Sequence, residues 1–200
     1  HLPRAYGLVL FGQEDFFHAG DLESARRALS DAAPLLRRLG DEAALNMFCL
    51  GPLGAVEATL GDFDAAEKTL SEAAMYGGAG WSATPLVVLA EWVLLQRGEL
   101  DRAETVALAA LERLHAHSLE GWVRPALLTL GRIAADRGDW ERAAWLHGAA
   151  TTNLPGWATA PPFWDREATV RSHLGNTSYR ALTRAGATEP LDAIVDDLVQ

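Results

Sequence analysis

Lysine is nearly missing from this 200-residue chain, where Lys68 is the only one. Lysine and arginine together number 17 against 27 aspartates and glutamates, a net charge of −10. The longest basic clusters are the pairs Arg26-Arg27 and Arg37-Arg38. A surface that neutralises nucleic-acid phosphates needs a basic patch, so the balance argues against direct nucleic-acid contact by this segment. Cysteine is equally scarce. Cys49, in an apolar helical stretch, stands alone, which rules out an internal disulfide or a thiolate metal cage. It reads as a small buried hydrophobe in a reducing, cytoplasmic compartment. No apolar run reaches about 18 residues without a charge or a breaker, so no membrane span is expected. The chain opens at His1 without a charged-then-apolar leader and reads as a segment of something longer. The phosphate-cradling Gly-x-x-x-x-Gly-Lys-Ser/Thr loop and the Gly-x-Ser-x-Gly nucleophile elbow are both missing. With 49% hydrophobic and 22% charged residues, the composition is that of a folded domain.

What is there is a phrase said four times. It reads Gly20-Asp21-Leu22-Glu23-Ser24-Ala25, Gly61-Asp62-Phe63-Asp64-Ala65-Ala66, Gly98-Glu99-Leu100-Asp101-Arg102-Ala103 and Gly138-Asp139-Trp140-Glu141-Arg142-Ala143. The glycines follow one another at 41, 37 and 40 residues. A period in this range marks an array of one repeated supersecondary unit. Each phrase ends one helix and begins the next. The glycine suits a left-handed position just past a helix C-terminus, and the acid suits an N-cap, where its oxygen accepts an orphan N–H.

Apolar periodicity fills in the helices. In the first repeat Leu8, Val9, Phe11, Phe16 and Phe17 form a face ending near His18. After the turn, Leu22, Ala25, Ala28, Leu29, Ala32 and Leu36 recur at helical spacing. Further pairs are expected at 41–60 with 62–76, 83–97 with 99–117, and 120–137 with 139–152. The run Gly77-Gly78-Ala79-Gly80 predicts a hinge between the second and third pairs. From residue 153 the pattern changes. Pro155, Pro161 and Pro162 forbid regular helix, a helix is expected at 163–184, then Gly186, then a short helix from Pro190. The expected organisation is four hairpins over 1–152 and a C-terminal helical cap over 153–200 of the same domain, since terminal units of an array must close its core.

The alanines opening each second helix, Ala25, Ala66, Ala103 and Ala143, and those seven residues on, Ala32, Ala73, Ala110 and Ala150, resemble the tetratricopeptide pattern. That family also prefers a small residue seven places before the turn glycine. Gly54 and Gly131 match, whereas Gln13 and Glu91 do not. The resemblance implies an all-α, right-handed superhelix of antiparallel helical hairpins. The run from Gly138 to Ala150, the Pro-rich stretch, Leu174-Gly175, Tyr179, Ala185-Gly186-Ala187 and Leu191 to Val195 are similar to the last repeat and cap of large bacterial ATP-binding LuxR-type and antibiotic-regulator-type transcriptional regulators. That implies a sensor or scaffold region whose ATPase and DNA-binding domains lie outside this segment.

The residues offer little for catalysis or metals. His115 and His117 sit two apart, about 200° around a helix, and cannot share an ion without unwinding it. His147 falls at a helix-packing position, and His173 lies in the cap beyond Asp165 and Glu167. Asp41-Glu42 and Asp196-Asp197 read as solvated charge at helix ends. Trp140 takes the bulky slot of its phrase and reads as packing. Trp157 and Trp164 flank the Pro-rich stretch as pins or a docking patch. No nucleophile, base and oxyanion donor gather, so no catalytic residue, metal or cofactor is assigned.

In tetratricopeptide arrays the inner faces of the first helices line a concave groove. Counting six, three, two, ten and thirteen residues back from the turn glycines places Glu14, Phe17, Phe48, Val88, Trp92, Gln96, Arg132 and Asp136 among its lining. An apolar lining with a few polar anchors suits a peptide or small organic ligand, with Trp92 as an aromatic shelf. The expected function is non-catalytic binding of a protein or small-molecule effector that biases attached regulatory domains. The alternative is a stand-alone adaptor holding a peptide segment of another protein.

Overall fold

A helix stop fused to a helix start is the local event that shapes this chain. In the computed structural model the four phrase glycines, Gly20, Gly61, Gly98 and Gly138, all adopt left-handed φ, at 71°, 82°, 74° and 80°. The acid that follows caps the next helix. Asp21 accepts from the Ser24 N–H at 3.0 Å, Asp62 from Ala65 at 3.3 Å and Asp139 from Arg142 at 3.2 Å. Glu99, one methylene longer, makes no such bond to the backbone and pairs with Arg102 instead. A fifth copy of the device, Gly40-Asp41, joins the first hairpin to the second. Gly40 has φ 68°, and Asp41 accepts from the Ala44 N–H at 3.0 Å.

The structure describes residues 2–76, 78–152 and 165–199, without the side chains of Phe17 and Ala79. Among them the regular structure is all helical, with no strand. Helix α1 (Leu2–Glu14) continues into a π-helical stretch, Asp15–Ala19, and α2 is Leu22–Leu39. A π-helical stretch, Ala44–Leu50, runs into α3 (Gly51–Thr59), followed by α4 (Phe63–Ala73) and one turn, α5 (Gly78–Trp81). Helix α6 (Thr84–Leu89) continues as a third π-helical stretch, Ala90–Leu94. Then come α7 (Leu100–Ala116), α8 (Glu120–Asp136), α9 (Trp140–Thr151), α10 (Glu167–Thr188) and α11 (Leu191–Val199). The expected helices are there to within a few residues. The exception is the glycine run, where Gly78–Trp81 coils into a helical turn instead of an open link. The proline-rich stretch, with Trp157 and Trp164, lies outside the described residues.

The helices gather into two compact units, His1–Val93 and Leu94–Gln200. In the first, α1 packs on α2 and α3 on α4, with α2 against α3 and α4 against α6. Its core is Val9, Leu29, Leu36, Leu45, Leu53 and Val56 around the buried Cys49. In the second, α8 packs on α7 and α9, α10 lies along α9, and α11 returns to α7. All eight phrase-register alanines are fully buried, because a larger side chain would push paired helices apart.

Two glycines set the closest crossing. A methyl group at Gly148 would sit 2.0 Å from the Thr183 carbonyl oxygen, and one at Gly186 2.0 Å from that of Trp145. Gly186 therefore does not end a helix, as the sequence implied. It lies inside α10, where its missing side chain lets the α9 backbone approach. The break falls earlier, at Gly175 (φ 76°, ψ 156°).

Alanine at Asp21 or Asp139 is expected to cost about 1 kcal/mol each in urea unfolding, and at Glu99 only a few tenths, since only the aspartates cap through the side chain. Gly148→Ala and Gly186→Ala are expected to destabilise by roughly 1–3 kcal/mol because the obstacle is backbone. Gly54→Ala, which meets only the movable Leu70 side chain, should cost less in the same measurement.

Candidate functional site

The predicted lining was counted back from each turn glycine, so its register depends on regular α-helix between the two. In α3 the small residue that touches the second helix is Gly54, seven before Gly61. An added methyl there would lie 2.4 Å from Leu70 Cγ. In α1 the equivalent contact belongs to Gly12, eight before Gly20, where the distance is 2.7 Å to Leu29 Cγ. Leu29 and Leu70 both stand nine residues beyond their glycines, so the two contacts are equivalent and α1 carries one extra residue. The π-helical stretch Asp15–Ala19 holds it, since a π turn adds a residue to the ring closed by each backbone bond. The stretch Ala90–Leu94 likewise precedes Gly98, and Ala90, eight before it, is fully buried. Gln13 breaks the small-residue rule because the rule's position has moved to Gly12, whereas Ala90 and Glu91 are both fully buried. On the far side of this first stretch from Gly20, α1 is one residue out of step with α3.

In the first unit, Glu14 is exposed and lies 4.0 Å from His18. Phe48 is 45% exposed, and its carbonyl accepts from Gln13 Nε2 at 2.9 Å, fastening α1 to the start of the second hairpin. Trp92 is half-buried and meets Phe16 at 6.2 Å between ring centres, tilted by 56°. Phe16 is thus an aromatic partner of Trp92, while the side chain of Phe17 lies outside those described. Val88 is buried. Leu10 and Phe11, both exposed, add apolar surface to α1. Phe11 was expected on its packed face, but Val9 and Ala5 point inward instead.

In the second unit, Gln96 is exposed, and Arg132 and Asp136 belong to a four-membered ion cluster. Buried Arg132 (4% exposed) lies 4.0 Å from Asp136 and 3.7 Å from Asp165. Arg166 bonds Asp136 at 2.7 Å and Asp165 at 2.6 Å, and the Asp136 bond raises its pKa above the ordinary arginine value. Arg132 is therefore packed among carboxylates rather than standing free in a groove. The sequence places Asp165 only beside His173 and Glu167, since it and Arg166 lie some thirty residues downstream with no spacing to tie them to α8.

A second network joins α9 to α10. His147 Nδ1 lies 2.6 Å from the Tyr179 hydroxyl, Arg171 stacks 4.7 Å over the Tyr179 ring, and Glu167 pairs with Arg171. Burial lowers the His147 pKa and pushes the Tyr179 hydroxyl up to about 12. His173 stacks flat on Trp140, 4.1 Å between ring centres. His115 lies 3.6 Å from Asp192 of α11. Asp41, read as solvated, takes the Tyr6 hydroxyl, a bond that lowers its pKa. Cys49 is fully buried, its thiol 3.2 Å from the Leu29 carbonyl and pushed up to about 12 by desolvation. Among the described residues no three histidine, cysteine or acidic side chains gather as a metal site, and no helix is long and apolar enough to cross a membrane.

No family model, curated protein or solved structure matches the chain.

His147 carries a pH prediction. Its folded pKa lies below the ordinary 6.5, so the unfolded chain binds the proton more tightly, and stability falls as pH drops through about 6.5. Urea midpoints should decline between about pH 7 and pH 5, and His147→Gln should flatten that decline.

Proposed function

We propose that this chain is a non-catalytic, tetratricopeptide-like sensor and interaction domain that binds an effector or partner segment along the first helices of its hairpins. The observation that carries the reading is the repeated hairpin itself. A left-handed glycine and an acidic cap recur, and Gly12 with Leu29 repeats the packing of Gly54 with Leu70. Arrays of this kind present rows of side chains rather than a deep catalytic pocket.

Exposed Leu10, exposed Glu14, half-exposed Phe48 and half-buried Trp92 give the first unit an apolar surface with an acidic neighbour. That chemistry suits a segment with apolar side chains and a basic group. The C-terminal run from Gly138 to Val195 supports a regulator of the kind it resembles, in which ligand binding favours one of two arrangements and so biases attached domains. A ligand does this only through differential affinity for the two.

A library of apolar–basic peptides and small organic effectors, screened by thermal shift and confirmed by titration, tests the reading. Ligands should weaken by at least about tenfold in Phe48→Ala and Trp92→Ala, as expected for truncated aromatic anchors. They should be indifferent to His173→Ala. Ligands that bind both aromatic variants like the parent protein, or a turnover activity that survives them, would sink the proposal.

A further inference from the structure

Glu57 has no role in the groove. It sits on α3, four residues before Gly61, and is only 9% exposed. Thr69 hydrogen-bonds to its carboxyl group. The other oxygen, Oε2, is buried and has no hydrogen-bond partner among the described residues. Proteins rarely leave a buried carboxylate oxygen unmet, and each such atom calls for an explanation.

The explanation lies in a pocket of about 300 Å³ between α2, α3 and α4, whose lining includes Ser30, Arg37, Glu57, Lys68, Thr69 and Glu72. Its four charges do not pair off evenly. Arg37 Nε bonds Glu72 at 3.0 Å, so these two satisfy each other. That leaves Glu57 within and Lys68 exposed. The only lysine of the chain makes no ion pair among the described residues. An anion with one acceptor oxygen unmet and a donor-only cation outside any ion pair thus line the same small volume.

We propose that this pocket binds a small zwitterion, its ammonium group donating to Glu57 Oε2 and its carboxylate meeting Lys68. The inner carboxylate selects a cation with N–H donors. The outer ammonium, on a long flexible stem, selects an anion at variable reach. The site shares no residue with the groove and stands independently of the function proposed above.

Calorimetric titration of the 200-residue chain with glycine, 4-aminobutanoate and 6-aminohexanoate, zwitterions of increasing span, provides the test. At least one should bind, with butylammonium and butanoate at least about tenfold weaker because each keeps only one charge-assisted contact. Glu57→Gln and Lys68→Met should each weaken the same zwitterion by about tenfold or more. Trp92→Ala should leave its binding unchanged, which separates this site from the groove. Lys68 is exposed, so Lys68→Met keeps the test decisive even if Glu57→Gln unfolds. No heat from any zwitterion up to about 20 mM, equal binding of butylammonium, or an unaffected Lys68→Met protein would each overturn the assignment.

Discussion

The pairing of helices along this chain depends on one repeated geometry, a left-handed glycine followed by an acidic cap. A residue in left-handed conformation turns the chain out of one helix. The next residue's carboxylate satisfies a backbone N–H of the following helix before that helix has any intrahelical partner to offer it. The turn is therefore both an ending and a beginning, and the relative placement of the two helices is set within two residues. The fully buried alanines of the second helices then allow close pairing, and the leucines nine residues beyond Gly20 and Gly61 meet glycine on the opposing helix. Where the acid is Glu99 the carboxylate reaches Arg102 rather than the backbone. The turn survives because the glycine alone already fixes its direction.

The second unit adds contacts that no turn provides. Helix α10 is held to α9 by a backbone crossing at Gly148 and Gly186, by His147 against Tyr179, and by Trp140 against His173. The ion cluster of Arg132, Asp136, Asp165 and Arg166 ties the end of α8 to the start of α10. Helix α11 returns to α7, with His115 facing Asp192. These are long-range clamps added to an apolar core that includes Leu111, Leu127, Ile133 and Leu146, and they make the C-terminal helices part of the unit.

Much of the fold was readable because its signals are local. Asp21, Asp62 and Asp139 cap as their position beside glycine implies, and apolar spacing located most helices to within a few residues. What stayed hidden was what local spacing cannot encode. Gly186 looks like a helix end in sequence, and only the nearby Trp145 carbonyl reveals its purpose. Asp165 and Arg166 meet Arg132 and Asp136 through tertiary packing. Glu57 resembles any acid near a helix end until α2 and α4 bury it. Of the eight lining residues, Glu14, Phe48 and Gln96 are open to solvent and Trp92 partly so, while Val88 and Arg132 are buried. Spacing counted back from glycine assumes 3.6 residues per turn, which the π-helical stretches do not keep.

The π-helical stretches bear on how far the length of a repeat can vary. A residue inserted into an α-helix ordinarily rotates everything beyond it by about 100°, and a π turn absorbs the extra residue locally instead. Asp15–Ala19, Ala44–Leu50 and Ala90–Leu94 all fall in first helices, away from the capped starts of the second. The second helices run 18, 11, 17 and 12 residues in α2, α4, α7 and α9. Length thus varies on both sides of the turn, and what the repeats hold constant is the turn itself.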